Sequence, residues 1–420
     1  MSARLHRLAN GVQVAVDPVP ELETLSLSVV ARGGARWEDA PRSGWSHLLE
    51  HMVFKGAGSR DARGLVEAVE DAGGSINAAT GYERTSFQVR ALKGGLPLAA
   101  EILSDLLFRP HMDPAELERE KSVIAQEIAD AADAPDDRVF DLAQSRAFAG
   151  QPLGRPILGE VTTVNGADVA ELEAWRRRLY APDNLVFSVA GAIDEDEALA
   201  LAERWFGQEP PGAGVQPEPA AFAGGGASES RRLEQAHLVL MLPAPGVRDP
   251  DYFALRLFAE ALGGGMSSRL FQEAREKRGL AYAIDAYSET YEDAGVLGVY
   301  AGTSASDGAE TARLAAREIL ALAESPQPAE LARAKAMLKG SLFAARESTL
   351  SRAEQAAGQA LLFGRTFTSA ELSEAIDVVT LEDLRRIGRR LIEPRLTAGA
   401  ALGPKRALAA VEAFGRALAA

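Results

Sequence analysis

Residues 208–232 hold almost nothing that a core could use. Pro210-Pro211-Gly212, Pro217-Glu218-Pro219 and Gly224-Gly225-Gly226 all fall inside this stretch. Such a segment is semi-extended where proline dominates and floppy where glycine does, so it reads as a linker between separately packed units. It divides the 420-residue chain into an N-terminal domain, 1–207, and a C-terminal domain, 233–420, each of a size that folds as one unit.

The two halves echo one another, which points to an internal duplication. Pro114-Ala115-Glu116-Leu117-Glu118-Arg119-Glu120-Lys121 returns as Pro328-Ala329-Glu330-Leu331-Ala332-Arg333-Ala334-Lys335. A helical run over 167–179, then Pro182 and an apolar strand to Gly191, returns as a run over 380–391, then Pro394 and a strand to Gly403. Alternating apolar and polar residues predict strands over 25–31, 85–91, 237–242 and 295–301, and Leu8 to Val16 reads as a turn running into another. Helices come in runs rather than strictly between strands, so the expected class is α+β and not a doubly wound parallel sheet.

Several functions are excluded early. The chain carries 45 Lys+Arg against 60 Asp+Glu, a net charge of −15, which argues against nucleic acid or an anionic membrane as the main partner. No uncharged apolar run approaches the roughly 18 residues that span a bilayer. The N-terminus shows no cationic, apolar, small-residue export pattern, so the expected location is cytoplasmic. There is no cysteine, so a catalytic metal would have to be held by His and carboxylates.

The densest chemistry is Ser46-His47-Leu48-Leu49-Glu50-His51-Met52, which holds two of the five histidines. On a helix, with Ser43 as a candidate N-cap, His47 and His51 project from one face a turn apart, as two imidazoles must to grip one Zn²⁺. Glu50 shares that face and is placed to take a proton from the water that such a metal activates. Leu48 and Leu49 point the other way, into packing. A third ligand is required. The helix predicted over 114–129 offers Glu120 and Glu127, two turns apart on one face, with Glu127 inside the apolar run Val123-Ile124-Ala125-Gln126-Glu127-Ile128. Glu116 and Glu118 read as solvated surface. His6, His111 and His237 stand apart from any comparable cluster.

The order His47-x-x-Glu50-His51 inverts the common zinc-peptidase motif. With Glu120 and Glu127 downstream, it resembles the pitrilysin/insulinase family of zinc metallopeptidases, in particular its shorter, processing-peptidase-like members. The resemblance covers nearly the whole chain. It includes the 76 positions from His51 to Glu127, Met52-x-Phe54-Lys55-Gly56, and Gly73-Gly74-x-x-Asn77-Ala78-x-Thr80.

The resemblance implies His47, His51 and Glu127 as zinc ligands, Glu50 as general base, and Glu120 as a carboxylate orienting the site from behind. It implies that Asn77 and Ala78 lie on an edge strand that takes the substrate backbone by strand addition. Gly263-Gly264-Gly265 through Tyr282 looks like the family's C-terminal substrate-binding segment, in which Arg275 and Tyr282 would hold the substrate near the scissile bond. In the echo, Glu120 and Glu127 fall at Ala334 and Ser341, and His47 and His51 near Arg269 and Glu273. The second half should therefore carry the fold without the metal, giving one zinc per chain. Two such α+β halves would form half of a clamshell, and a homodimer would enclose a chamber for peptides and unstructured segments. A non-catalytic scaffold of the same fold, or one subunit of a heterodimer, is the alternative.

Overall fold

A computed structural model of the chain describes residues 3–212, 214 and 216–419. Two sheets carry the fold, and their strands follow one plan. The first runs, in spatial order, Arg4–Arg7, Gln13–Pro18, Leu185–Gly191, Thr24–Arg32, Arg84–Leu92 and Ser75–Thr80. The second runs Gly225–Ser230, Ala398–Gly403, Gln235–Ala244, Gly295–Ser304 and Ala281–Thr290. In each sheet one pair is parallel, Gln13–Pro18 with Leu185–Gly191 and Gly225–Ser230 with Ala398–Gly403, and the other pairs are antiparallel. Five strands thus recur in the same order and sense. The fold is α+β with two similar halves, as the duplicated motifs imply.

The linker is shorter than its composition suggests. Gly225–Ser230, inside the stretch read as linker, is the first strand of the second repeat. Its composition hides it: its two glycines carry no β-propensity, and only Ala227 of the strand is buried.

The chain also does not pack as two consecutive halves. One compact unit comprises Met1–Ile128, Pro156–Glu218 and Leu342–Ser369; the other comprises Ala129–Arg155, Pro219–Ser341 and Ala370–Ala420. Each half of the sequence gives the other unit a helix, and the two helices hold equivalent places in the duplication. In the first unit, Thr349–Phe363 lays Ala356, Ala357 and Ala360 against Ala15, Val30 and Val186 of the sheet. Polar bonds fix it there: Ser28 and Gln88 both donate to Glu354, each at 2.9 Å, and Arg352 donates to Asp17 at 2.7 Å. In the second unit, Pro135–Ala147 packs on Ala398–Gly403, whose small residues let a helix approach closely. There Phe140 stacks on Tyr300 with centroids 5.6 Å apart, and Gln144 donates to the Tyr291 hydroxyl at 2.7 Å. Among the described residues, no helix is long and apolar enough to cross a membrane.

Candidate active site

The helix Trp45–Val53 carries both histidines and Glu50. At nine residues it is too short to persist alone, so tertiary packing must hold it. Leu48, Leu49, Met52 and Val53 are all fully buried in the core of the first unit. At about 1.5–3 kcal/mol per buried side chain, that face anchors the helix by roughly 6–12 kcal/mol before entropy is counted.

Ser43 is not its N-cap. That place falls to Gly44, whose φ of 91° and close approach to the Leu158 carbonyl exclude a side chain. The capping acceptor is Glu38 instead. Its buried carboxylate accepts from Gly44 N at 2.8 Å and from Ser46 N at 2.7 Å, bringing a negative charge to the positive end of the helix.

The opposite face presents the chemistry. His47 and His51 lie edge to face with centroids 4.6 Å apart. Both turn Nε2 toward Glu127 Oε2, at 3.9 and 3.7 Å. Glu127 lies on the helix Pro114–Asp133. Among the described residues, these three side chains are the one group whose ligand atoms, all within 4.8 Å of one another, could hold a metal ion. A tetrahedral ion with bonds of about 2.0–2.1 Å separates its ligand atoms by roughly 3.3–3.4 Å, so small rotamer adjustments complete the set. Burial, with His51 alongside, holds the His47 imidazole down to about 4, so it is neutral and its lone pair is available. Two imidazoles and a carboxylate suit zinc.

Of the two acidic candidates, Glu120 is the buried one and Glu127 the more open, reversing what the apolar run around Glu127 suggests. Glu120 stands behind the site. Its Oε2 is 2.9 Å from His51 Nδ1 and its Oε1 2.7 Å from Lys55 Nζ. Glu50 accepts from the Thr80 hydroxyl at 2.5 Å through Oε2. Burial raises its pKa above the usual carboxylate value, against the opposing effects of the Thr80 bond and His51. The Tyr180 hydroxyl is buried without a hydrogen-bond partner and stays protonated well above its ordinary pKa through burial and the charge of Glu50.

Asn77 and Ala78 lie on Ser75–Thr80, which is an edge strand of the first sheet, and Thr80 is its last residue. Arg275 and Tyr282 belong to the second unit. Arg275, on a π-helical turn over Phe271–Lys277, lies over the Phe271 ring at 4.8 Å, and Tyr282 is exposed on Ala281–Thr290. At the echo of the metal helix, Arg269 is paired with Glu330 at 2.7 Å. His6, His111 and His237 bond instead to Glu195, the Gly58 carbonyl and Tyr300. Glu38 and Tyr180 left no signal in the sequence. Lys55 and Thr80 lie inside motifs it displayed, without a role attached.

Two duplicated α+β units, one bearing an inverted His-x-x-Glu-His helix with a distant glutamate, define a metallopeptidase fold. Residues 13–161 match the family described as insulinase (peptidase family M16), and residues 167–338 match the peptidase M16 inactive domain. The chain is 33% identical over 401 residues to an uncharacterized zinc protease of Rickettsia felis, covering 95% of this chain and 97% of that one. It is 34% identical over 384 residues to the uncharacterized zinc protease YmxG of Bacillus subtilis, covering 91% and 94%. The chain therefore belongs to the insulinase, or M16, peptidase family. Among solved structures it is similar in fold to a protease from Helicobacter pylori, with a TM-score of 0.89 at 20% identity over 96% of this chain and 100% of that one. It is similar also to a chain of complex III2 from Candida albicans, with a TM-score of 0.86 at 20% identity over 99% of each.

Proposed function

We propose that this protein is a zinc endopeptidase that cleaves peptides and unstructured segments, with Glu50 as general base. The observation that supports the reading is the convergence of His47, His51 and Glu127 on one point, with Glu50 on the same short helix as both imidazoles and its Oε2 held by the Thr80 hydroxyl. A zinc ion held by His47, His51 and Glu127 would act as a Lewis acid on the scissile carbonyl and on the attacking water. Glu50 takes the proton of that water and returns it to the leaving amine; a raised pKa brings such a base closer to neutral pH, where transfer in both directions is efficient. The edge strand Ser75–Thr80, through Asn77 and Ala78, takes the substrate backbone as an added strand, a mode that tolerates varied side chains. Arg275 and Tyr282 are assigned to the substrate, in a homodimer whose facing second half complements each metal site. Light scattering showing a fully active monomer would contradict that assembly.

The test is zinc content and peptide turnover in wild type and Glu50→Gln. The peptidase reading expects zinc retained in both and turnover lost in the variant. A non-catalytic scaffold of the same fold expects no turnover in either.

A further inference from the structure

We infer that Lys55 is a positioning residue of the metal centre, acting through Glu120 to orient His51. The inference rests on the peptidase reading above and goes beyond it. It begins with Met52-x-Phe54-Lys55-Gly56, a motif the proposed chemistry leaves unused.

The structure explains its spacing. The helix ends tightly, with Phe54 N donating to the His51 carbonyl at 3.2 Å and Lys55 N to the Met52 carbonyl at 3.1 Å. Gly56 then turns the chain at φ 128°, where a Cβ would sit 2.4 Å from the His111 ring. Only glycine permits that turn, and the turn brings the Lys55 ammonium back to Glu120 at 2.7 Å.

Both oxygens of Glu120 are thereby committed, one to Lys55 and the other to His51 Nδ1. Nδ1 donates to Glu120, so the His51 lone pair sits on Nε2, the nitrogen that faces Glu127. A carboxylate behind an imidazole ligand fixes its orientation and strengthens it as a donor. Glu120 is 6% exposed at its side chain, and an anion that deep needs a compensating charge. Lys55 supplies it. Without that charge Glu120 would lose one of its two anchors, and with it the fixed orientation it gives His51. The other ligand has no such support, because His47 Nδ1 is buried without a partner. The site is therefore asymmetric, with the Lys55–Glu120 pair acting on the His51 side.

The experiment compares wild type with Lys55→Met, Lys55→Arg, Glu120→Gln and the double variant Lys55→Met/Glu120→Gln. It reads zinc affinity by chelator competition, the visible spectrum after cobalt substitution, and kcat and KM on a quenched fluorescent peptide. Lys55→Met is expected to lose about 10–100-fold in zinc affinity or kcat, with KM little changed and the cobalt bands shifted. Lys55→Arg, which keeps a charged donor, recovers most of the loss. The double variant is no worse than Glu120→Gln, because Lys55 acts through Glu120. If Lys55→Met melts below the assay temperature, Lys55→Gln takes its place in the same comparison. Unchanged affinity and spectrum in the neutral variant, or losses that multiply in the double variant, overturn the assignment while leaving the peptidase reading intact. A wild type that takes up no metal overturns both.

Discussion

Replacing Glu38 tests whether the metal helix is held by its cap as well as by its core face. The carboxylate accepts two backbone bonds, from Gly44 N at 2.8 Å and Ser46 N at 2.7 Å, and the residue is 2% exposed. Bonds to a charged acceptor contribute about 1.5–3 kcal/mol each. A negative charge at a partly buried helix N-terminus adds as much as about 2 kcal/mol. Glu38→Ala strands two donors away from water, so a loss of roughly 3–6 kcal/mol is expected; Glu38→Gln keeps one acceptor oxygen and should lose about half of that. For a unit of this size, about 2–4 °C per kcal/mol puts the Glu38→Ala melt roughly 6–12 °C lower at the smaller figure. Thermal melting by circular dichroism, with and without zinc, reads it. Zinc affinity should fall in parallel, because His47 lies on the first turn that Glu38 holds in place. A Glu38→Ala protein that melts with wild type and binds zinc equally well would refute the capping argument.

Two further outcomes follow from the geometry. In the zinc-free chain His47 titrates at about 4 instead of 6.5, so between those values the unfolded chain binds a proton that the native one refuses. Stability should therefore fall as pH drops from 6.5 toward 4, by about 3 kcal/mol in all, and His47→Gln should flatten that slope in melts recorded across the window. Residues 1–207 expressed alone lack Thr349–Phe363, leaving the Ala15, Val30 and Val186 face of the sheet uncovered. That fragment should show no cooperative melt until a peptide spanning 342–369 is added, and a sharp transition from the fragment alone would refute the helix exchange.

The chemistry of the site was legible because its members are spaced by helical geometry. His47, Glu50 and His51 share one face of one short helix, and Glu120 and Glu127 one face of another, so local periodicity places each set. The duplication was legible because proline, acid and base recur in register. What failed was non-local. Alanine-rich helices such as Thr349–Phe363 carry an apolar face but no statement of which sheet it will meet, so the exchange between halves is invisible to periodicity. Glu38 caps a helix that begins seven residues later, across the irregular turns that bring its carboxylate to Gly44 and Ser46, and Ser43 was the nearer and more conventional choice. The apolar neighbours of Glu127 suggest burial, whereas the helix turns it toward the open side and buries Glu120. Gly225–Ser230 was hidden because a strand made of glycine and small residues has the composition of a linker.

Anomalous diffraction at the zinc edge, from crystals of the zinc-loaded protein, bears most directly on all of this. A single strong peak per chain, about 2.0–2.2 Å from His47 Nε2, His51 Nε2 and a Glu127 carboxylate oxygen, is the expected result. A peak lying elsewhere, or none at these three side chains in protein shown to contain zinc, would contradict the account.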